Sequence, residues 1–319
     1  MSGKTYHLPV PTDHEALAAE LRQALVGESP RTTPSIEDDG PPQPLELREG
    51  EELETYKLHR RFDRFARLVG DEAMKRLMEA HVMVIGLGGV GSWAAESLAR
   101  SGIGTLTLVD FDRICVTNAN RQLQALHGVI GKPKAKVLGE RMALINPRAT
   151  VIPIERFYNK ENSTELFAAR PDAVVDAIDN LTAKAHLLDH CRRLGIPVVC
   201  STGASGRFDP TRVRVADLAE TTVDPLARTL RSMLRSLYGF PTSGAMGIEA
   251  VYSTEPVQMP HELTYDNGKG FQCVCPGGAN EFHSCEERNV IYGNASFVTG
   301  AFGLAAASVI VRRLLESSR

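Results

Sequence analysis

The sequence predicts an α/β fold: a Rossmann-like, doubly wound and mostly parallel sheet, with a carboxyl-terminal extension and a disordered amino-terminal arm. Three observations carry that expectation. Short apolar runs alternate with helical windows from about Lys57, a glycine-rich turn joins the first run to the first window, and residues 1–56 differ in composition from the rest. Strands separated by helices pair in parallel, because each helix returns the chain to the start of the next strand. Such sheets hold ligands at the carboxyl ends of their strands.

Taken in order, the arm opens with a capping-box pattern, Thr12-x-x-Glu15, ahead of a short amphipathic stretch. Pro30, Pro34, Pro41, Pro42 and Pro44 follow, then acidic Glu46 to Glu54, a composition that buries no core and reads as a linker. The apolar run His81–Ile85 is the first strand, and the turn Gly86-Leu-Gly88-Gly89-Val-Gly91-Ser92 leads into a helix through Arg100. Thr105–Val109 is the second strand, ending at Asp110. Further strands are expected at Val151–Ile154, Ala173–Val175 and Val198–Cys200, with helices near Lys134–Ile145, Lys160–Ala168 and Ala183–Leu194. Beyond Arg207 the pattern changes. Arg212–Ala216 alternates like a strand with one exposed face, and Asp224-Pro225 opens a helix, since proline suits a first turn. Gly239 to Ala279, rich in glycine, proline and polar groups, reads as a long mobile loop.

Asn294–Val311 is 18 residues without a charge, at the lower limit for a membrane span. Its many small residues make the transfer gain weak and allow close backbone approach, so a buried core helix is expected and no membrane partner. Met1–Val10 has no apolar core of a signal peptide, and 6 cysteines in 319 residues are too sparse for a disulfide scaffold. Together these point to a reduced, cytoplasmic protein. With 36 Lys+Arg against 39 Asp+Glu the net charge is −3, so no global basic field draws nucleic acid and any such binding uses a local patch.

The chemistry gathers on the glycine turn. Gly86, Gly88, Gly89 and Gly91 let the backbone approach a phosphate at a helix amino terminus, and Asp110, 24 residues beyond Gly86, is placed to accept from ribose hydroxyls. The glycines fit an adenine nucleotide and do not by themselves separate ATP from NAD or FAD. Three later segments do: Asn118-Ala-Asn120-Arg121-Gln122, Gly131-Lys132-Pro133-Lys134 and Asp176-Ala-Ile-Asp179-Asn180 all converge on the carboxyl edge. Arginine and lysine there neutralise a triphosphate, and an aspartate can hold Mg²⁺ between phosphates. A dinucleotide needs no such group of cations.

These motifs, with Asp110-Phe-Asp112 and Arg61-Phe-Asp-Arg64 upstream, resemble the ubiquitin-activating-like adenylyltransferases, which activate carboxylates with ATP. The resemblance implies ATP and Mg²⁺ as cofactors. It implies Asp110, Asp112, Asn118, Arg121, Lys134, Asp179 and Asn180 as nucleotide contacts, with Asp179 on the metal. By the same match Arg121, Lys134 and Asp179 are catalytic, and Arg64 is a finger reaching ATP in the partner subunit of a homodimer. Within that superfamily, Gly89–Trp93, Asp112–Asn118, Asp209–Leu218, Asp224–Arg228, Ser253–Glu255 and Ala295–Gly303 resemble the tRNA threonylcarbamoyladenosine dehydratases. That likeness implies an ATP-driven dehydration of threonylcarbamoyladenosine in tRNA through an acyl-adenylate. The corresponding organisation is a nucleotide-binding core at 57–206 and a substrate extension at 207–319.

A tRNA substrate needs a local basic surface, and Arg228, Arg231 and Arg235 fall on one side of the helix after Asp224, with Leu226, Leu230, Met233 and Leu237 opposite. Cys273-Val-Cys275 and His283-Ser-Cys285 form a ligand-like group, but paired CxxC motifs that related carrier activators use for zinc are absent from the sequence. Free thiols are expected there, and Cys115, Cys191 and Cys200 in the core. The alternative reading is an adenylyltransferase for the carboxyl terminus of a sulfur-carrier or ubiquitin-like protein, with a sulfur-transfer protein as partner. A nicotinamide oxidoreductase would use the glycines and Asp110 but leave Arg64, Arg121 and Lys134 idle.

Overall fold

The computed structural model describes residues 53–263 and 291–316, with side chains from Arg60 on. The amino-terminal arm and the group Cys273, Cys275, His283 and Cys285 lie outside the described residues. Helices α1 (Leu53–Val69) and α2 (Asp71–Glu79) precede the strand β1 (His81–Ile85). Then follow α3 (Gly91–Arg100), β2 (Thr105–Val109), α4 (Lys134–Ile145), β3 (Thr150–Ile154), a four-residue turn α5 (Ser163–Leu166), β4 (Ala173–Asp176), α6 (Leu181–Leu194) and β5 (Val198–Ser201). β6 (Val213–Asp217), α7 (Pro225–Tyr238), β7 (Glu249–Ser253) and α8 (Ser296–Glu316) complete the described chain.

The seven strands form one sheet in the order β3-β2-β1-β4-β5-β7-β6. All neighbours pair in parallel except β6 and β7, which are antiparallel. The chain runs outward from β1 to β3 and then returns to β4 on the other side of β1. Ile85, the last residue of β1, is level with Val109 on one side and Asp176 on the other, so the reversal opens a crevice at the carboxyl ends of β1 and β4.

Helices cover both faces, which is why the central strands are apolar runs instead of alternating ones. Val82, Val84, Leu106 and Leu108 point to the side of α3, α4 and α8, while Met83, Ile85, Val109 and Val174 point to the side of α6. Each of these side chains is at most 2% exposed, and complete burial of one such group contributes about 1.5–3 kcal/mol. Cys115, Cys191 and Cys200 are buried free thiols, as their apolar surroundings in the sequence imply.

α8 has the length and composition of a membrane span, yet it packs on α3, β4 and β5 with Val298 and Phe302 fully buried. Its small residues make the crossing possible. A Cβ on Gly303 would lie 2.4 Å from the Val90 carbonyl oxygen and 2.7 Å from the Trp93 Cβ, and one on Gly300 would touch the Trp93 ring at 3.5 Å.

Three expectations are corrected. The segment Gly239–Ala279 is not one loop, because Glu249–Ser253 forms β7 between β5 and β6. The helical window at Lys160–Ala168 shrinks to the single turn α5. On α7 the buried face is Ala227, Leu230 and Leu234, whereas Leu237 is 68% exposed. The helix has rolled toward Arg231, which reaches the carbonyl oxygens of Leu218 and Thr221 and the hydroxyl of Thr221.

Candidate active site

The glycine turn lies flat against the end of β4. Gly86 adopts φ +88°, and a Cβ there would stand 2.6 Å from the Ala177 carbonyl oxygen. One on Gly91 would stand 1.8 Å from the Gly86 oxygen, so neither position accepts a side chain. Gly88 differs: the nearest atom to its Cβ position is Gln122 Nε2 at 3.9 Å, which leaves open space above the backbone. At the start of α3, Val90 supplies no side-chain cap; the Ser92 N–H donates back to the Gly88 carbonyl oxygen at 3.2 Å, and the helix amino terminus is aimed at the turn. A concave backbone and oriented N–H donors fit a phosphate chain.

Charge enters from β2 and α4. The buried carboxylate of Asp110 accepts from the Leu87 N–H at 2.6 Å through one oxygen and from the Asp112 N–H at 2.7 Å through the other. This ties the glycine turn to the end of β2 and leaves each oxygen a further lone pair. Lys134, the first residue of α4 and also buried, holds Asp112 at 2.7 Å. Burial raises the Asp110 carboxyl above the ordinary carboxylate range, against the pull of Lys134. Burial also opposes the Lys134 charge, but Asp110 and Asp112 outweigh it and the ammonium stays protonated above the usual lysine range. The Lys134 side chain therefore stays cationic beside the turn throughout the physiological range.

The segment after β2 closes the crevice from above. The buried Asn118 side chain accepts from the Cys115 N–H at 3.0 Å and fixes a 3₁₀ turn, Val116–Asn118. Arg121 follows, and its guanidinium donates to the Thr117 carbonyl at 3.0 Å and to the Asn120 side chain at 2.9 Å. Its stem lies over the turn, 3.2 Å from where a Gly89 Cβ would be, with Thr299 of α8 at 3.1 Å from the same point. Trp93, on the first turn of α3, donates its indole N–H to the Arg121 carbonyl at 3.1 Å. On the opposite wall Asp179 and Asn180 are exposed, just past the end of β4, and Asn180 accepts from the Ala183 N–H as the cap of α6.

Gly86–Gly91, Asp110, Asp112, Asn118, Arg121, Lys134, Asp179 and Asn180 are thus brought to one crevice. The sequence-predicted Arg64 is not among them. Neighbouring Arg61 donates to Ile145 at the end of α4, and Phe62 packs beside Gly102 before β2, so this part of α1 sits at the amino edge of the sheet. Nor do the three arginines of α7 form one free stripe. Arg228 is exposed, Arg231 is half-buried on carbonyl oxygens, and Arg235 donates to the Pro241 carbonyl at 3.1 Å.

The structure adds groups that the sequence left unmarked. Asp176 and Lys184 form a fully buried ion pair at 2.7 Å behind the β4 wall. Arg207 and Asp224 form another at 2.9 Å, joined by Thr202, and anchor the loop after β5. Asn294 accepts from Asn120 and from Ser205, linking the segment before α8 to the loop that carries Arg121. Among the described residues no group of three metal-ligating side chains occurs. Asp179 is exposed at the crevice, and Mg²⁺ is an ion bound by one or two carboxylates plus substrate phosphates.

The profile of the ThiF family matches residues 62–318, nearly the whole described chain. The chain belongs to the ThiF family. This ThiF-family chain is 43% identical over 258 residues to the tRNA threonylcarbamoyladenosine dehydratase of Haemophilus influenzae, covering 80% of this chain and 94% of that protein. It is 40% identical to the Escherichia coli dehydratase, with 81% and 94% covered. Solved structures of the E. coli enzyme in complex with ATP and with AMP superpose with TM-scores of 0.69 and 0.70 at 39% identity, over 81% of this chain and 94% of theirs. The molybdopterin-synthase adenylyltransferase of Salmonella typhimurium is 35% identical, but over 44% of this chain only.

Proposed function

We propose that this protein catalyses the ATP-dependent dehydration, by cyclisation, of threonylcarbamoyladenosine in tRNA. The observation that carries the reading is the crevice itself: a side-chain-free backbone turn with Lys134, Arg121 and Asp179 around it, in a chain whose residues 62–318 match the ThiF family and which is 43% identical to a dehydratase over 258 residues. The match to a carrier-protein adenylyltransferase spans less than half the chain and supports the alternative less.

In this reading the threonyl carboxylate attacks the α-phosphate of ATP and pyrophosphate leaves. The neighbouring carbamoyl group then attacks the acyl carbon, the ring closes and AMP leaves. The carboxylate oxygen is a poor leaving group and phosphate is a good one, so ATP carries away the elements of water. The protein's part is positioning and charge neutralisation, which requires no protein nucleophile. The turn Gly86–Gly91 holds the phosphates, and Asp110 accepts from the ribose. Lys134 and Arg121 balance the charge that builds on the α-phosphate. Mg²⁺ on Asp179 would draw charge from the leaving pyrophosphate. Arg64, on the same helix as Arg61 and Phe62 at the amino edge of the sheet, would then serve the crevice of a second subunit, as the resemblance implies. We therefore read the enzyme as a cytoplasmic homodimer.

Purified protein with ATP, Mg²⁺ and tRNA bearing threonylcarbamoyladenosine is expected to yield a nucleoside lighter by one water, read by mass spectrometry after digestion. Arg121→Ala and Asp179→Ala are expected to abolish that change with the fold intact. An unchanged nucleoside in the wild type, with pyrophosphate exchange only on adding a carrier protein, would transfer the assignment to protein activation.

A further inference from the structure

Two phenylalanine rings at the rim of the crevice stay in water while the backbone beneath them is pinned by buried groups. Phe208, in the loop after β5, is 67% exposed, and Phe297, in the first turn of α8, is 47% exposed. Their centroids are 5.1 Å apart and the rings meet edge to face at 88°. The Phe208 N–H donates to both oxygens of the buried Glu255 carboxylate, and the Asp209 N–H donates to one of them at 2.8 Å. One residue earlier, Arg207 is locked by Asp224 and by the Glu255 carbonyl. Before it, Gly206 takes φ +70° and its N–H donates to the Gly293 carbonyl at 2.8 Å, which binds the loop to the segment before α8.

Leaving an aromatic ring outside forgoes the free energy of its burial, yet the loop is built to hold the ring there. A rigidly supported, exposed aromatic is the form a contact for a flat ligand takes. The platform is continuous with the crevice: Phe297 is two residues from Thr299, which lies against Gly89, and Asn294 is bonded to Asn120 beside Arg121. Thr211 and Arg212, shortly after Phe208 in the chain, are exposed, and the exposed Arg214 follows on β6. Bases in unpaired RNA are held by stacking on aromatic rings, with arginines on the adjoining phosphates.

We propose that Phe208 and Phe297 form a stacking platform for an unpaired base of the RNA substrate, beside the nucleoside whose carboxylate is activated. This rests on the dehydratase reading and supplies a base-contacting surface for it. Phe208→Ala, Phe297→Ala and the double variant test it, with Phe208→Tyr to preserve the stack. Loss of a base–aromatic stack is expected to raise the KM for tRNA about 10-fold in the double variant, with kcat at saturating tRNA changed far less. ATP affinity and melting temperature should stay near wild type, and Phe208→Tyr should retain most of the tRNA affinity. An unchanged KM in the double variant overturns the platform. So does a raised KM accompanied by dissociation into monomers in sedimentation, which would make the rings a subunit contact. If the wild type binds modified tRNA without dehydrating it, the reaction assignment fails, and direct binding by the double variant still decides the platform. Failure of the wild type to bind tRNA overturns both.

Discussion

The two walls of the crevice each carry an aspartate–lysine pair at 2.7 Å with a buried lysine, and the pairs differ in what surrounds them. On the β2 wall, Lys134 meets Asp112, whose side chain is 31% exposed, and the pair opens on the glycine turn. On the β4 wall, Asp176 and Lys184 are both 0% exposed and face only the core. In the sequence Lys134 is marked by Pro133 at the start of its helix, whereas Lys184, inside α6, carries no local signature. Burial on every side makes a pair structural, and burial on three sides with one left open makes it available to a ligand. The same contrast recurs in the other half of the sheet, where Arg207 and Asp224 are sealed and serve to hold a loop.

The contrast can be broken most severely at Lys184. Lys184→Ala leaves Asp176 charged and unpaired in the core and is expected to cost about 3–5 kcal/mol, seen as a large fall in the urea midpoint. Asp176→Leu with Lys184→Met should recover most of that loss. A midpoint unchanged by the single substitution would show that the pair is not sealed. Lys134→Ala should show the reverse balance. Its partner already touches water, so the stability loss is smaller than at Lys184, while kcat for dehydration falls by about 100- to 1000-fold. Equal effects of the two substitutions on stability and turnover would erase the distinction between the walls.

Alkaline titration sharpens the comparison. Burial opposes the charge on Lys184, but Asp176 outweighs it and holds the ammonium above the ordinary lysine range. A raised lysine contributes stability that is fully present below the unfolded value of about 10.4 and is lost as pH rises through the folded one. The wild-type denaturation midpoint is expected to hold to about pH 10 and then fall, more steeply than in the Asp176→Leu, Lys184→Met variant. Parallel curves would assign the alkaline loss to other groups. The smallest effects fall on α7. Arg231→Ala removes bonds to Leu218 and Thr221 and should lower stability by about 1 kcal/mol, measured by denaturation. Arg228→Ala should leave stability alone and reduce the salt dependence of tRNA binding by about one phosphate contact.

Much of the nucleotide wall is legible in the sequence because each part has a local signature. Glycine spacing marks the turn, Asp110 marks the end of β2, and Pro133-Lys134 marks the start of α4 where the helix begins. β7 is hidden because a five-residue strand between glycine- and proline-rich flanks has too little length to show a period. The facing of α7 is misjudged because Arg231 turns inward to satisfy carbonyl oxygens, a choice that hydropathy does not encode. Asn294 and Thr299 are missed as members of the crevice because Asn120 and Gly89, which they meet there, lie more than 170 residues away in the chain. The small residues of α8 give the nearest signal: they imply a tight crossing, though not that α3 and its glycine turn are what they cross.

That crossing has an optical consequence. Trp93 is the chain's single tryptophan, and its ring is held between Gly300 of α8 and the carbonyl of Arg121. The protein therefore carries its own emission probe at the joint between glycine turn, roof and carboxyl-terminal helix. Any ligand that moves Arg121 alters the electric field at the indole, so nucleotide arrival can be timed in a stopped-flow instrument without a dye.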